Sequence, residues 1–159
     1  MAWRGSTTVS DRIFACLPYL LPLIDGLMFG YISLLRQFPA LQVVFLPLQP
    51  IIAIYASLGQ IGQLIVFFAL FFLVVRNEKI LHFIRYNTMQ AILLDIIVFL
   101  CSIVLRVVAL PGIDFAIQTV ASTIFLGLVA AVGYSVAQSL MGRYAEIPAI
   151  SDAVYMQVR

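Results

Sequence analysis

Apolar residues run along this chain almost without interruption, and the few polar positions among them divide it into four long segments. The first, residues 13–35, has Asp25 as its only charge, and Pro18 and Pro22 each remove a helix hydrogen bond. A long but kinked span is predicted. Residues 37–75 then carry no charge for 39 positions, more than one span requires and too few for two spans and a turn. Pro39, Pro47 and Pro50 punctuate the early part, so the pattern predicts a short interfacial segment at 40–46 and a second span at 51–75. Spans at 84–107 and 115–141 follow, separated by a turn at Pro111, Gly112 and Asp114. Between the second and third spans stand Arg76, Asn77, Glu78 and Lys79, with Asn77 placed as an N-cap and Glu78 favourable to the helix dipole. The fourth span carries Gly127, Ala130, Ala131, Gly133 and Ala137, small residues that let helices approach closely in lipid. A short mixed tail occupies 142–159. The reading is an all-α polytopic membrane protein: one membrane domain, residues 1–159, built as a bundle of four transmembrane helices.

Composition strengthens this picture. The chain is 64% hydrophobic and 10% charged, with a mean hydropathy of +1.10, against about 25% charge in soluble domains. A soluble fold would lack a polar surface. The net charge of +2 is small and scattered, which excludes the clustered footprint of a nucleic-acid binder. Cys16 and Cys101 lie within apolar runs without a CxxC or Cys/His neighbour and read as small buried hydrophobes, not metal ligands. The residues before the first apolar run are too short and too poor in Arg for a transit peptide, and no A-x-A site follows, so the first span is expected to be retained. Charge also orients the spans. Arg4, Arg12, Arg76, Lys79, Arg85, Arg143 and Arg159 fall on one side and only Arg36 and Arg106 on the other, which places both termini in the cytoplasm or plastid stroma. No internal repeat argues for an inverted-repeat transporter.

Asp25 and Asp95 stand out, because a carboxylate at mid-bilayer costs roughly 2.5–3.5 kcal/mol and is seldom kept without a partner. Counted along parallel spans, both lie about 17 Å deep. They are placed to approach each other or to line one wet cavity. Gln60 and Gln63 fall in the second span; Gln118, Thr119, Ser122 and Thr123 open the fourth. In the third, Asn87, Asp95, Ser102 and Arg106 share a face with Ala91 and Val98, and Gln90 lies near it. This stripe reads equally as a path lining or as interhelical hydrogen bonding, where each bond adds about 0.6 kcal/mol. His82, beside Arg85 and one turn from Tyr86, is weighed as a proton relay but reads more simply as an interfacial residue. It has no second soft ligand at helical spacing for a metal. Trp3, Tyr19, Tyr31, Tyr55 and Tyr144 are expected in an aromatic belt. No HExxH, GxSxG, P-loop or Rossmann pattern occurs, so no catalytic residues and no cofactor are expected.

Two stretches carry a family resemblance: residues 11–27, DRIFACLPYLLPLIDGL, and residues 74–96, VVRNEKILHFIRYNTMQAILLDI. With the tail AEIPAISDAVYMQV at 145–158, they resemble the Tic-twenty family, the twenty-kilodalton subunit of the protein translocon of the chloroplast inner envelope, in its cyanobacterial or plastid-encoded form. The resemblance implies a membrane core or channel-forming subunit that works with other translocon subunits, or with copies of itself, on precursor polypeptides in the bilayer. It implies a location in a cyanobacterial membrane or the plastid inner envelope. No catalytic residue transfers; Asp25, Arg76, Asn77, His82, Arg85, Asn87, Gln90 and Asp95 are the motif positions expected to matter for assembly or for a path. Two other classes stay open beside it: a structural or assembly factor, and a small-solute or proton carrier using the two acids.

Overall fold

The computed structural model describes residues 7–30, 38–109 and 111–158, and among them every regular element is helical. Trp3, Arg4, Tyr31, Arg36, Arg159 and the end of the first predicted span at 31–35 lie outside the described residues. Helix α1 (Val9–Cys16) starts from a capping box in which Thr8 and Asp11 exchange hydrogen bonds. The Pro18 kink is a single 3-10 turn, Leu17–Tyr19, that leads directly into α2 (Leu20–Gly30).

The second region departs from expectation. Helices α3 (Pro39–Phe45) and α4 (Gln49–Ser57) join through a 3-10 turn, Leu46–Leu48, into one apolar rod covering 39–57 in place of a separate surface segment. Pro39, Pro47 and Pro50 each stand in the first turn of their element, where the missing N–H leaves no bond unmade. They therefore do not stop the helix. The break comes at Gly59, whose φ of +64° few other residues adopt, so the predicted span 51–75 is divided. Helix α5 (Gly59–Ala69) follows and widens into a π-helical stretch, Leu70–Val75. The turn after it is closed by the Asn77 side chain, which accepts from the Lys79 N–H at 3.1 Å. Asn77 thus builds a turn and does not cap the next helix, whose N-cap is Leu81.

Helices α6 (His82–Val108) and α7 (Asp114–Leu140) are both long and apolar enough to cross a membrane, as is the rod 39–57. Helix α7 turns Ala121, Phe125, Leu128, Val132, Ser135 and Ser139 inward, a stripe spaced alternately by four and three residues. Its small residues Gly127, Ala130, Gly133 and Ala137 point outward instead of packing within the chain. The close approach occurs at Gly26 of α2, where an added Cβ would fall on the Leu128 side chain. Tyr19, Ala91, Leu94, Val98, Leu128 and Val132 fill the centre.

The tail is a structural element. Gly142, at φ +73°, ends α7 with its N–H on the Ser139 carbonyl (2.9 Å) while Arg143 bonds Gln138 (2.9 Å). The chain then turns back along the bundle, burying Ile150 in the central core. Helix α8 (Ser151–Gln157) packs Val154 and Val158 on Val75, Tyr86, Met89 and Ile92. Contacts from Arg12 to the Leu140 carbonyl and from His82 to the Val158 carbonyl gather α1, the end of α7, α8 and the 76–81 turn at one end of the bundle.

Candidate functional site

Helix α6 carries the polar interior. Where α1, α2, α7 and α8 surround it, Asn87, Thr88 and Gln90 are fully buried, and Arg85 and Asp95 are each 8% exposed. Each buried polar group requires a partner in a medium without water.

Asn87 is the hub of one cluster. Its Oδ1 accepts from the Tyr19 hydroxyl (3.0 Å) and the Ser139 hydroxyl (2.8 Å), while its Nδ2 donates to the Phe83 carbonyl (2.8 Å). The amide joins α6, α7 and the 3-10 turn of the first segment. One turn on, Gln90 Nε2 donates to Ser135 Oγ at 3.0 Å, leaving its Oε1 unpaired among the described residues. Thr88 returns its hydroxyl to the Ile84 carbonyl (2.8 Å).

The second cluster is acidic. Asp25 of α2 and Asp95 of α6 approach each other across the helix interface, with the Tyr55 hydroxyl of α4 beside Asp25. Asp95 Oδ1 has no partner among the described residues. Beside the pair lies an apolar cleft of about 530 Å³ between the first segment, α4, the π-helical stretch and the start of α6. Leu21, Ile24, Tyr55, Val66, Ile84 and Thr88 are among its walls.

The other sequence-derived candidates lie apart from these clusters. Gln63 is half-buried on α5, and Gln60 is exposed. Ser102 bonds back to the Phe99 carbonyl at 2.7 Å, and Arg106 is exposed, so the α6 stripe turns outward beyond Val98. Thr119, Ser122 and Thr123 likewise return their hydroxyls to carbonyls one turn earlier.

His82 clasps the tail. Its Nε2 lies 3.3 Å from the Val158 carbonyl and its Nδ1 3.0 Å from the Tyr144 hydroxyl. A carbonyl only accepts, so Nε2 carries the proton and, in the neutral ring, Nδ1 accepts from Tyr144. Tyr86 packs its ring between Tyr144 (5.0 Å) and Tyr155 (4.8 Å) on the same face. Among the described residues no group of His, Cys, Asp or Glu is arranged to hold a metal.

Of the tyrosines expected in a belt, Tyr19 and Tyr55 are buried, Tyr19 with its hydroxyl on Asn87, whereas Tyr144 is half-buried and meets His82 at the end of the bundle. Belt and core tyrosines sit at similar depth in a sequence; only the partner from another helix separates them. Ser135 and Ser139, which complete the amide cluster, were signalled only by their four-residue spacing on one face.

A family model described as Chloroplast import apparatus Tic20-like matches residues 9–154. The Tic20 family protein of Synechocystis sp. is 44% identical over 161 residues, covering 100% of this chain and 99% of that protein. Tic20 family protein Ycf60 of Gracilaria tenuistipitata var. liui is 36% identical, with 95% of this chain and 76% of the relative covered. Protein TIC 20-v, chloroplastic, of Arabidopsis thaliana is 33% identical, with 96% and 73% covered. The buried motif residues of α6 and the acid of α2 all fall within the matched region, and this chain belongs to the Tic20 family.

Proposed function

We propose that this protein is a membrane subunit of a protein-translocating complex, a single membrane domain of four spans with both termini on the cytoplasmic or stromal side. The observation that carries this reading is kinship across residues 9–154 to a family described as chloroplast import apparatus. The clustering of Arg12, Arg76, Lys79, Arg85 and Arg143 about one end of the bundle supports the orientation. The filled core supports work in company: a path for a polypeptide would be shared with other translocon subunits or further copies, and the outward small-residue face of α7 suits such packing. Asp25 and Asp95 are the residues assigned to a path, and Asn87 and Gln90 to holding the bundle.

Purification of the tagged protein from its own membranes in mild detergent, with mass spectrometry of co-purifying chains, is the test. Other membrane translocon subunits or precursor polypeptides are expected; recovery of the protein alone would refute the reading.

The approach of two acids, Asp25 and Asp95, inside the bundle favours a second reading, a proton or small-solute carrier. In proteoliposomes with an internal pH dye, that reading requires proton flux that the D25N/D95N double variant abolishes. Unchanged flux beside empty vesicles removes it.

A further inference from the structure

At the end of the bundle where α6 begins, a polar cleft of about 350 Å³ lies between the 76–80 turn and α8, lined by Arg76, Glu78, Arg85, Met156 and Gln157. Arg85 is 8% exposed, yet its one partner among the described residues is the Val75 carbonyl, reached by Nε–H at 2.8 Å. That bond fixes the plane of the guanidinium and leaves both terminal nitrogens as donors on a cleft wall. The side chain is enclosed while its terminal nitrogens open on the cleft, and their planar fork matches the oxygens of a phosphate. Arg76, exposed on the turn braced by Asn77, supplies a second guanidinium on the same cleft.

We propose that this cleft binds the phosphate of an anionic lipid headgroup. Its position supports the lipid as source, because the cleft opens at the start of α6, a helix long enough to cross the membrane, at the level where headgroup phosphates lie. Its charge supports a phosphodiester. Two guanidiniums and one carboxylate, Glu78, give the lining a net charge of +1, the complement of a phosphodiester's single negative charge. The Met156 side chain offers an apolar contact for the glycerol and upper acyl region.

Native mass spectrometry of the full chain, purified in detergent and titrated with phosphatidylglycerol or phosphatidylcholine, tests the proposal. One phosphatidylglycerol per chain is expected at about tenfold preference over the zwitterion. Arg76→Gln, at an exposed position that leaves the fold intact, brings the two lipids to parity. Glu78→Gln, which removes the one negative charge of the lining, strengthens retention. Because Arg85→Lys alters a buried group, its effect is read beside circular dichroism. Equal binding of both lipids, or preference undiminished in R76Q, overturns the proposal. Displacement of the lipid by inorganic phosphate at matched concentration assigns the cleft to free phosphate and overturns the lipid source.

Discussion

Over residues 83–98, α6 is enclosed by its neighbours and holds Arg85, Asn87, Thr88, Gln90 and Asp95; over residues 99–108 it presents Phe99, Leu100, Ile103, Val104 and Val107 to its surroundings, Val107 at 77% exposure. One helix therefore contains a polar half turned inward and an apolar half left bare. In water the distribution would be reversed. Between lipid tails and leucine there is little to choose, so helix association rests on packing and on hydrogen bonds that lipid cannot supply. The enclosed half is where the chain has partners to offer; the bare half is suited to lipid or to another subunit.

This contrast can be broken by removing the hub of the enclosed half. Asn87→Leu strands the hydroxyls of Tyr19 and Ser139 and is expected to cost about 3 kcal/mol, measured by unfolding in mixed micelles of sodium dodecyl sulfate. A loss below about 0.5 kcal/mol would mean that the cluster does not hold the bundle. Overpacking comes next. Gly26→Val drives α2 off Leu128 and should cost about 2 kcal/mol in the same assay, whereas Gly133→Val on the outward face should stay within about 0.5 kcal/mol and reduce only the recovery of co-purifying subunits. Tyr19→Phe removes one bond to Asn87 and should cost about 1 kcal/mol, separating a core tyrosine from a belt tyrosine. In the bare half, Ile103→Ala is expected within about 0.5 kcal/mol of the parent in isolated protein.

The smallest effect lies outside the membrane. Hydrogen bonds from the Thr8 side chain and backbone hold Asp11 below the ordinary carboxylate value of 3.8. Since the folded value is depressed, the contribution to α1 is complete above the ordinary value and is lost as pH falls through the lowered one. Amide exchange at Asp11 should accelerate only in that acidic window; equal acceleration at neutral pH would exclude the cap as its cause.

The approach of Asp25 to Asp95 was legible because helical rise converts residue counts into ångströms, and two acids counted to one level on neighbouring helices have few other places to go. The face shared by Asn87, Ala91, Asp95 and Val98 was legible from spacing alone. What escaped depended on contacts between distant segments. Tyr19 and Tyr55 look like interfacial aromatics until α6 and α2 supply their partners. The rod at 39–57 escaped for a local reason, since prolines that halt a helix mid-way are harmless in a first turn. The tail did carry a signal, with Ile147, Ile150, Val154 and Val158 three and four residues apart, but polar neighbours masked it.

That tail also sets a schedule. Tyr86 of α6 is covered by Tyr155, about 70 residues later in synthesis, and the buried face around Met89 and Ile92 waits for Val154 and Val158. At about 5–20 residues per second, Tyr86 has been made for roughly 3–14 s before its cover exists. During that interval the face needs a temporary companion, so nascent chains halted before residue 150 should crosslink to insertion machinery from position 89, and chains carried past 158 should not.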